Sequence, residues 1–298
     1  NAGSELDRKA REVAISALNA DLEVVDPEVI IKSKVKLKGN SLRIGDLSFN
    51  LDEYGKIVVV GGGKASGCMA EALAEVGANI VLCARKLEPC EEAAKAIREI
   101  GVRSLAVGCD VTDPDAVKAL VERTISEFGR VDILINNAGF IWEEPPEKVS
   151  LDTWNKTLAI NATGTFLCSQ EAGKHMIRQG QGKIINIASI SGLASVDPEL
   201  SNTVPYSAAK GAIVALTRDL ARKWCQYNIT VNAIAPGYFA TKMSKYLAEH
   251  RQPQLMSAIR MKRLGTKDEI KGVAVFLASA ASNYITGQIL AVDGGIIM

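Results

Sequence analysis

The chain is short of the residues that common metal, membrane and nucleic-acid chemistries require. Its six cysteines, Cys68, Cys83, Cys90, Cys109, Cys168 and Cys225, form no Cys-x-x-Cys pair, and only His175 and His250 are available as imidazole ligands. That argues against a metal site and against a disulfide framework, and leaves reduced, mostly buried thiols. No apolar run approaches the ~20 residues of a membrane helix. The opening Asn1-Ala2-Gly3-Ser4-Glu5 has neither a basic n-region nor an apolar h-region, so a soluble, cytoplasmic protein without a membrane partner is expected. Nor is there an excess of charge: 35 basic against 34 acidic side chains leave +1, which offers no clustered basic surface to nucleic acid. What remains is 298 residues, 47% of them hydrophobic, enough for one large core or one core with a small appendage.

From Lys56 onward, short β-branched runs alternate with stretches of helical period. This pattern predicts an α/β fold, a doubly wound, parallel, Rossmann-type sheet with helices on both faces. Seven strands are expected, at 57–61, 79–83, 103–108, 131–136, 183–188, 229–234 and 288–292, with helices over 113–128 and 206–226 among those between them. Residues 1–55 do not fit the scheme and are expected to form a separate appendage to a 56–298 domain. Leu6, Ala10, Val13, Ala14, Ala17 and Leu18 share one face of a helix. In 31–38, Ile31, Val35 and Leu37 alternate with Lys32, Lys34, Lys36 and Lys38 as in a strand whose charged face discourages aggregation, and Lys38-Gly39-Asn40-Ser41 turns it into a hairpin.

Residues 57–69 read as strand, glycine turn and helix start. Glycines there let backbone N–H groups approach a pyrophosphate at the helix amino terminus, where the partial positive charge favours an anion. The second strand ends in Arg85-Lys86, where an NAD-binding unit usually offers a carboxylate to the ribose. A guanidinium holds a 2′-phosphate by paired hydrogen bonds, which points to NADP with NAD as the alternative. Asn136-Asn137-Ala138-Gly139 closes the fourth strand and Asp110 follows the third, both at strand carboxyl ends where open α/β sheets bind ligands.

Tyr206 and Lys210 lie one helical turn apart, and an ammonium beside a phenol favours the phenolate, lowering the tyrosine pKa toward a useful general acid or base. The spacing alone decides little. Its company is Asn161, a strand ending Asn186-Ile187-Ala188-Ser189, Pro236-Gly237 with Thr241, and Val292-Asp293-Gly294-Gly295. Together these motifs resemble the short-chain dehydrogenase/reductase family over about residues 71–298. The resemblance implies that Tyr206 exchanges a proton with the substrate oxygen, that Ser189 hydrogen-bonds the same oxygen, and that Lys210 holds the nicotinamide ribose. It implies that Asn161 positions a water relay. Cofactor contacts would come from Gly63, Gly67, Arg85, Asp110, Val111, Asn137, Ala138, Gly139, Tyr206, Lys210, Pro236, Gly237 and Thr241, with direct hydride transfer and no metal. A homodimer or homotetramer built on helices near 150–178 and 206–226 and the last strand is implied as well. Ser191 is a neighbour of Ser189, and the extra residues in 192–205 are expected to bulge beside the substrate pocket.

The family's opening Thr-Gly-x-x-x-Gly-x-Gly falls here on Gly62, Gly63, Gly67 and Met69. Met69 replaces the last glycine, where its side chain is expected to obstruct the pyrophosphate or push the helix away; a folded, cofactor-deficient scaffold is the alternative that follows. Residues 1–75, through Gly63-Lys64-Ala65, resemble the beginning of bacterial and archaeal glycerate 2-kinases, in which Lys64 matches a functional lysine. That resemblance implies a fused chain with its junction near 70–78 and no kinase activity, because one lysine cannot supply the metal and phosphate sites of phosphoryl transfer. Residues 218–225 and 235–243 resemble gluconate 5-dehydrogenases, with 3-oxoacyl thioester reductases second. Ile141, Trp142, Ser191, Leu193, Tyr238, Phe239 and Met243 are the pocket candidates, and a secondary alcohol or ketone, as in a sugar acid or polyol, is the expected small-molecule substrate.

Overall fold

The computed structural model of the chain describes residues 67–195, 197–240 and 251–298 with their side chains, and the backbone of Ser66 and of strands at 35–38, 41–44, 47–50 and 58–62. The expected helix over Leu6–Leu18, Lys32, Lys34, Lys64, Gly63, Thr241 and Met243 lie outside the described residues. Two compact units emerge, Asn1–Lys56 and Ile57–Met298. In the first, β1 (Val35–Lys38) pairs antiparallel with β2 (Ser41–Ile44), Lys38 opposite Ser41, and β2 pairs with β3 (Leu47–Asn50), a third strand the sequence reading did not anticipate.

The second unit is the α/β domain. Its strands are β4 (Val58–Gly62), β5 (Asn79–Ala84), β6 (Ser104–Gly108), β7 (Ile133–Asn136), β8 (Gly182–Ile187), β9 (Ile229–Pro236) and β10 (Ile289–Val292). They are parallel, in the order β10-β9-β8-β7-β4-β5-β6. The chain builds outward from β4 to β6, then returns and builds the other way from β7, so the switch point lies between β4 and β7. β4 ends at Gly62, and the carboxyl end of β7 leads into Asn136-Asn137-Ala138-Gly139.

The helices that matter are α1 (Ser66–Glu75), α2 (Leu87–Glu99), α3 (Pro114–Phe128), α4 (Leu151–Leu158), α5 (Gly164–Gln179), α6 (Val204–Trp224), α7 (Gln252–Ala258) and α8 (Lys267–Ala278). Alternate strand residues feed opposite cores. Ile80, Leu82, Ile133 and Ile135 pack beneath α1, α2 and α8, whereas Val81, Cys83, Leu134 and Ile184 pack beneath α3, α5 and α6. That double cover is why the strands read as unbroken apolar runs. Caps set the helix ends: Asp113 accepts from the N–H groups of Asp115 and Ala116 at the start of α3, and Gly129 closes it in the left-handed region, φ 81°. Among the described residues no helix is long and apolar enough to cross a membrane. Cys83, Cys90, Cys109, Cys168 and Cys225 are free thiols, the first four of them buried.

Met69 is a core residue. Only 2% exposed, its side chain sits in the core with Ala70, Leu73, Leu277 and Ile80, beneath the packing of α1 on α8. Lys271 of α8 bonds Glu71 of α1 at 3.0 Å across the same contact. The methionine fills the helix–sheet junction, so glycine at 69 is expected to remove core packing.

Candidate active site

Tyr206 and Lys210 lie in the first two turns of α6, at the carboxyl edge of the sheet. Lys210 is 3% exposed and its Nζ donates to the Ile187 carbonyl at 2.6 Å, the last residue of β8. The same Nζ stands 5.4 Å from the Tyr206 ring centroid, over its face. Burial pushes the Lys210 ammonium down to about 8, and burial pushes the Tyr206 phenol up, offset in part by a hydrogen bond with Ser189. The expected lowering of Tyr206 by Lys210 is therefore corrected. The ammonium lies over the ring and against a backbone carbonyl, and desolvation outweighs its attraction for a phenolate. Tyr206 is a protonated phenol poised to donate.

Ser189, not Ser191, faces the phenol. Its Oγ bonds Tyr206 and also accepts from the Ser191 N–H at 3.2 Å, opening a short 3-10 turn at Ile190–Gly192. This turn is pressed on α6 backbone to backbone: a Cβ on Gly192 would lie 2.5 Å from the Lys210 carbonyl carbon and 2.8 Å from the Gly211 nitrogen. Neither neighbour is a side chain that can swing aside. Gly192→Ala is therefore expected to lift Ser189 from Tyr206, lowering kcat at least tenfold and stability by about 1–3 kcal/mol. Gly211→Ala, whose Cβ meets nothing nearer than 3.9 Å, is expected to do neither. Steady-state kinetics and thermal melts of the two variants check this.

Asn161 sits in a single π turn, Ala159–Thr163, between α4 and α5. It is wholly buried. Its amide donates to the carbonyls of Phe140 at 2.7 Å and Thr157 at 2.9 Å, while Oδ1 accepts from the Phe140 N–H at 3.3 Å. The side chain thus holds the turn after β7 and is itself spent on backbone. Behind it runs a buried polar chain that sequence reasoning missed. Thr165 donates to the Asn161 carbonyl and Ser169 to the Thr165 carbonyl. Asn136 donates to both Ser169 and Asn186, and Asn186 to Thr217, at distances of 2.7–2.9 Å. It joins α5, β7, β8 and α6, the elements bearing Asn161, Ser189, Tyr206 and Lys210, and every member is bonded, so it sets their mutual register.

Around the rim, Asp110 accepts from the Thr112 N–H at 3.0 Å and hydroxyl at 2.8 Å; these bonds, with Arg85 nearby, hold its carboxyl below the usual range. Arg85 is exposed. Val111 packs on the start of α5, where a Cβ on Gly164 would come within 2.7 Å of it. Gly67 and Gly139 are exposed, Asn137 and Ala138 half-buried. Pro236-Gly237 ends β9 beside β10: the Gly237 N–H bonds the Val292 carbonyl at 2.9 Å, and a Cβ there would strike Asp293 at 2.8 Å. The 192–205 stretch folds back, with Leu200 buried against Leu255 and Ile259 near α7, and Tyr238 packing on that cluster. Trp142 is exposed and bonds Glu144, and Phe239 bridges to Gly265. Arg251, Glu143 and Gly192 were not legible as site residues.

A family model described as "Enoyl-(Acyl carrier protein) reductase" matches residues 65–297. The chain belongs to the short-chain dehydrogenase/reductase family. Its similar proteins include a 2-dehydro-3-deoxy-D-gluconate 5-dehydrogenase of Dickeya dadantii (strain 3937), 40% identical over 83% of this chain and 97% of the relative. A gluconate 5-dehydrogenase of Gluconobacter oxydans (strain 621H) is 37% identical over 81% of this chain and 94% of its own. A crystal structure of a gluconate 5-dehydrogenase from Burkholderia cenocepacia J2315 in complex with NADP and tartrate superposes with a TM-score of 0.77 at 34% identity, covering 81% and 95% of the two chains.

The residues of this dehydrogenase/reductase fit the nicotinamide dinucleotide that the family uses. Lys210 is the decisive case: a buried ammonium has three donors, and among the described residues one carbonyl is its only hydrogen-bond acceptor, leaving two for a ribose diol. Among the described residues nothing lies within 4 Å of where a Gly67 side chain would stand, and Asp110 and Arg85 follow the ends of β6 and β5. When bound, the dinucleotide supplies or accepts the hydride. Lys210 would hold the ribose, and the hydrogen-bonded Ser189–Tyr206 pair would meet the substrate oxygen, with the phenol as the group that could exchange a proton there.

Proposed function

We propose that the enzyme uses NADP(H), with NAD(H) as the weaker alternative, to interconvert the secondary hydroxyl and ketone of a sugar acid or polyol in the cytoplasm. The Ser189–Tyr206–Lys210 arrangement carries the chemistry, and the names of the similar gluconate dehydrogenases support the substrate class. Exposed Arg85, at the end of β5 and close enough to act on the Asp110 carboxyl, supports the coenzyme. Arg85→Ala is expected to weaken NADPH binding roughly tenfold or more and to leave NADH nearly unchanged. Fluorescence titration with both coenzymes checks it, and equal losses for both would remove Arg85 from 2′-phosphate recognition.

A second reading, reduction of a 3-oxoacyl thioester, draws on the acyl-carrier description of the family model and on exposed Trp142 and Leu193. Comparing kcat/KM for 5-dehydrogluconate and an acetoacetyl thioester separates the two. We place a homodimer or homotetramer interface on α4 and α5, where Leu151 and Phe166 are 71% and 41% exposed. We further propose that residues 1–75 derive from a glycerate 2-kinase beginning fused to the oxidoreductase. ATP-dependent phosphorylation of glycerate by this chain would contradict it.

A further inference from the structure

The three loops that leave the carboxyl ends of β7, β8 and β9 are fastened together at one residue. Arg251, just before α7, donates from Nη1 to the Leu200 carbonyl at 3.1 Å, in the excursion after β8, and to Glu143 Oε1 at 3.4 Å, in the loop after β7. The Glu144 N–H to Asn202 carbonyl bond, 2.9 Å, ties the same two loops. Glu144 itself is occupied by the Trp142 indole N–H, so Glu143 is the carboxylate that faces the guanidinium.

Two features make this pair unlike a finished structural salt bridge. It is monodentate and long, and it uses one guanidinium nitrogen: among the described residues neither Nε nor Nη2 of Arg251 donates to the protein, although its side chain is only 32% exposed. A guanidinium fork left open and partly desolvated suits a carboxylate bidentately. The partly buried Tyr238 phenol, within electrostatic range of Glu143, Arg251 and Tyr206 alike, links the pair to the Ser189–Tyr206 side of the sheet.

We propose that Arg251 is the specificity-determining residue that receives the carboxylate of a sugar-acid substrate, and that Glu143 holds its place until the substrate carboxylate displaces it. This inference rests on the sugar-acid reading above. Arg251 then grips the end of the substrate remote from the reacting carbon, the oxygen of which lies between Ser189 and Tyr206. Because the loops bearing Arg251, Glu143 and Leu200 converge there, an acidic substrate is selected by charge and held at the right reach.

The test compares wild type, Arg251→Gln, Arg251→Lys and Glu143→Gln on 5-dehydrogluconate and on its uncharged methyl ester, with NADPH titration as the folding and coenzyme control. In Arg251→Gln the acid-to-ester ratio of kcat/KM is expected to fall roughly thirtyfold, with Arg251→Lys recovering part of it. In Glu143→Gln the KM for the acid is expected to fall, because a competing carboxylate is gone. An unchanged acid-to-ester ratio in Arg251→Gln, or a higher KM for the acid in Glu143→Gln, overturns the role of Arg251 and leaves the sugar-acid reading standing. A wild-type enzyme that binds NADPH and reduces the thioester but neither the acid nor its ester overturns the sugar-acid reading itself, and this inference with it.

Discussion

Replacing Tyr206 with phenylalanine is expected to lower kcat for ketone reduction by about a thousandfold, while NADPH binding and the thermal melt stay close to wild type. The substitution removes one hydroxyl and keeps the ring over which Lys210 Nζ stands, so folding has little to lose. Catalysis has much to lose, because that hydroxyl is hydrogen-bonded to Ser189 and is the group proposed to donate the proton that the new alcohol needs. The direction of its pKa adds a sign. Burial raises the phenol, so the acid form dominates at neutral pH and reduction requires no preceding ionisation. Oxidation of the alcohol needs the phenol to accept a proton, so its rate should climb as pH rises, and this climb should be absent in Tyr206→Phe. A variant that keeps more than a tenth of wild-type kcat would show that the proton comes from elsewhere.

Lys210→Met should give the opposite pairing of effects: activity lost by about a hundredfold or more, yet the coenzyme-free protein stabilised at pH 7. Lys210 is buried, and burial lowers its ammonium from 10.5 to about 8. Between those values the unfolded chain binds more protons than the folded one, so stability rises with pH across that interval, and below pH 8 the whole cost of burying the charge is present. Methionine has similar volume and no charge to bury. The gain at pH 7 is expected to reach up to about 3 kcal/mol, reduced by the lost bond to the Ile187 carbonyl, and to fade as pH approaches 10.5. Melts of both proteins across that range check it. A lower melting temperature for Lys210→Met at pH 7 would mean that the ammonium is not held at a cost. The stored cost has a use, since an ammonium short of acceptors is what a ribose can satisfy.

The fold was legible because both faces of every central strand are buried. Ile80, Val81, Leu82 and Cys83 point alternately into two cores, and such a run cannot be mistaken for a half-exposed strand. All seven strands fall within about two residues of the expected positions, and Ser189, two residues beyond β8, is the serine that bonds Tyr206. What sequence could not convey was direction. Met69 occupies the register position of a small residue, but only the packing of α1 on α8 reveals that its side chain turns inward. The spacing of Tyr206 and Lys210 brings them together without saying whether Nζ reaches the phenolic oxygen or lies over the ring. The polar residue types of Asn136, Ser169, Asn186 and Thr217 gave no hint that they form one chain, and Arg251 meets Glu143 across more than a hundred residues. Contacts of that separation have no local signature.

In the proposed reaction a hydride moves to the ketone while Tyr206 delivers the proton. Reduction of 5-dehydrogluconate with NADPH deuterated on the transferable face of its ring tests that in a single product analysis. The expected product carries the deuterium on the new carbinol carbon, formed by wild type and all but lost in Tyr206→Phe. Coenzyme that binds but is never oxidised with any ketone offered, or a labelled product formed equally well without the phenol, would contradict it.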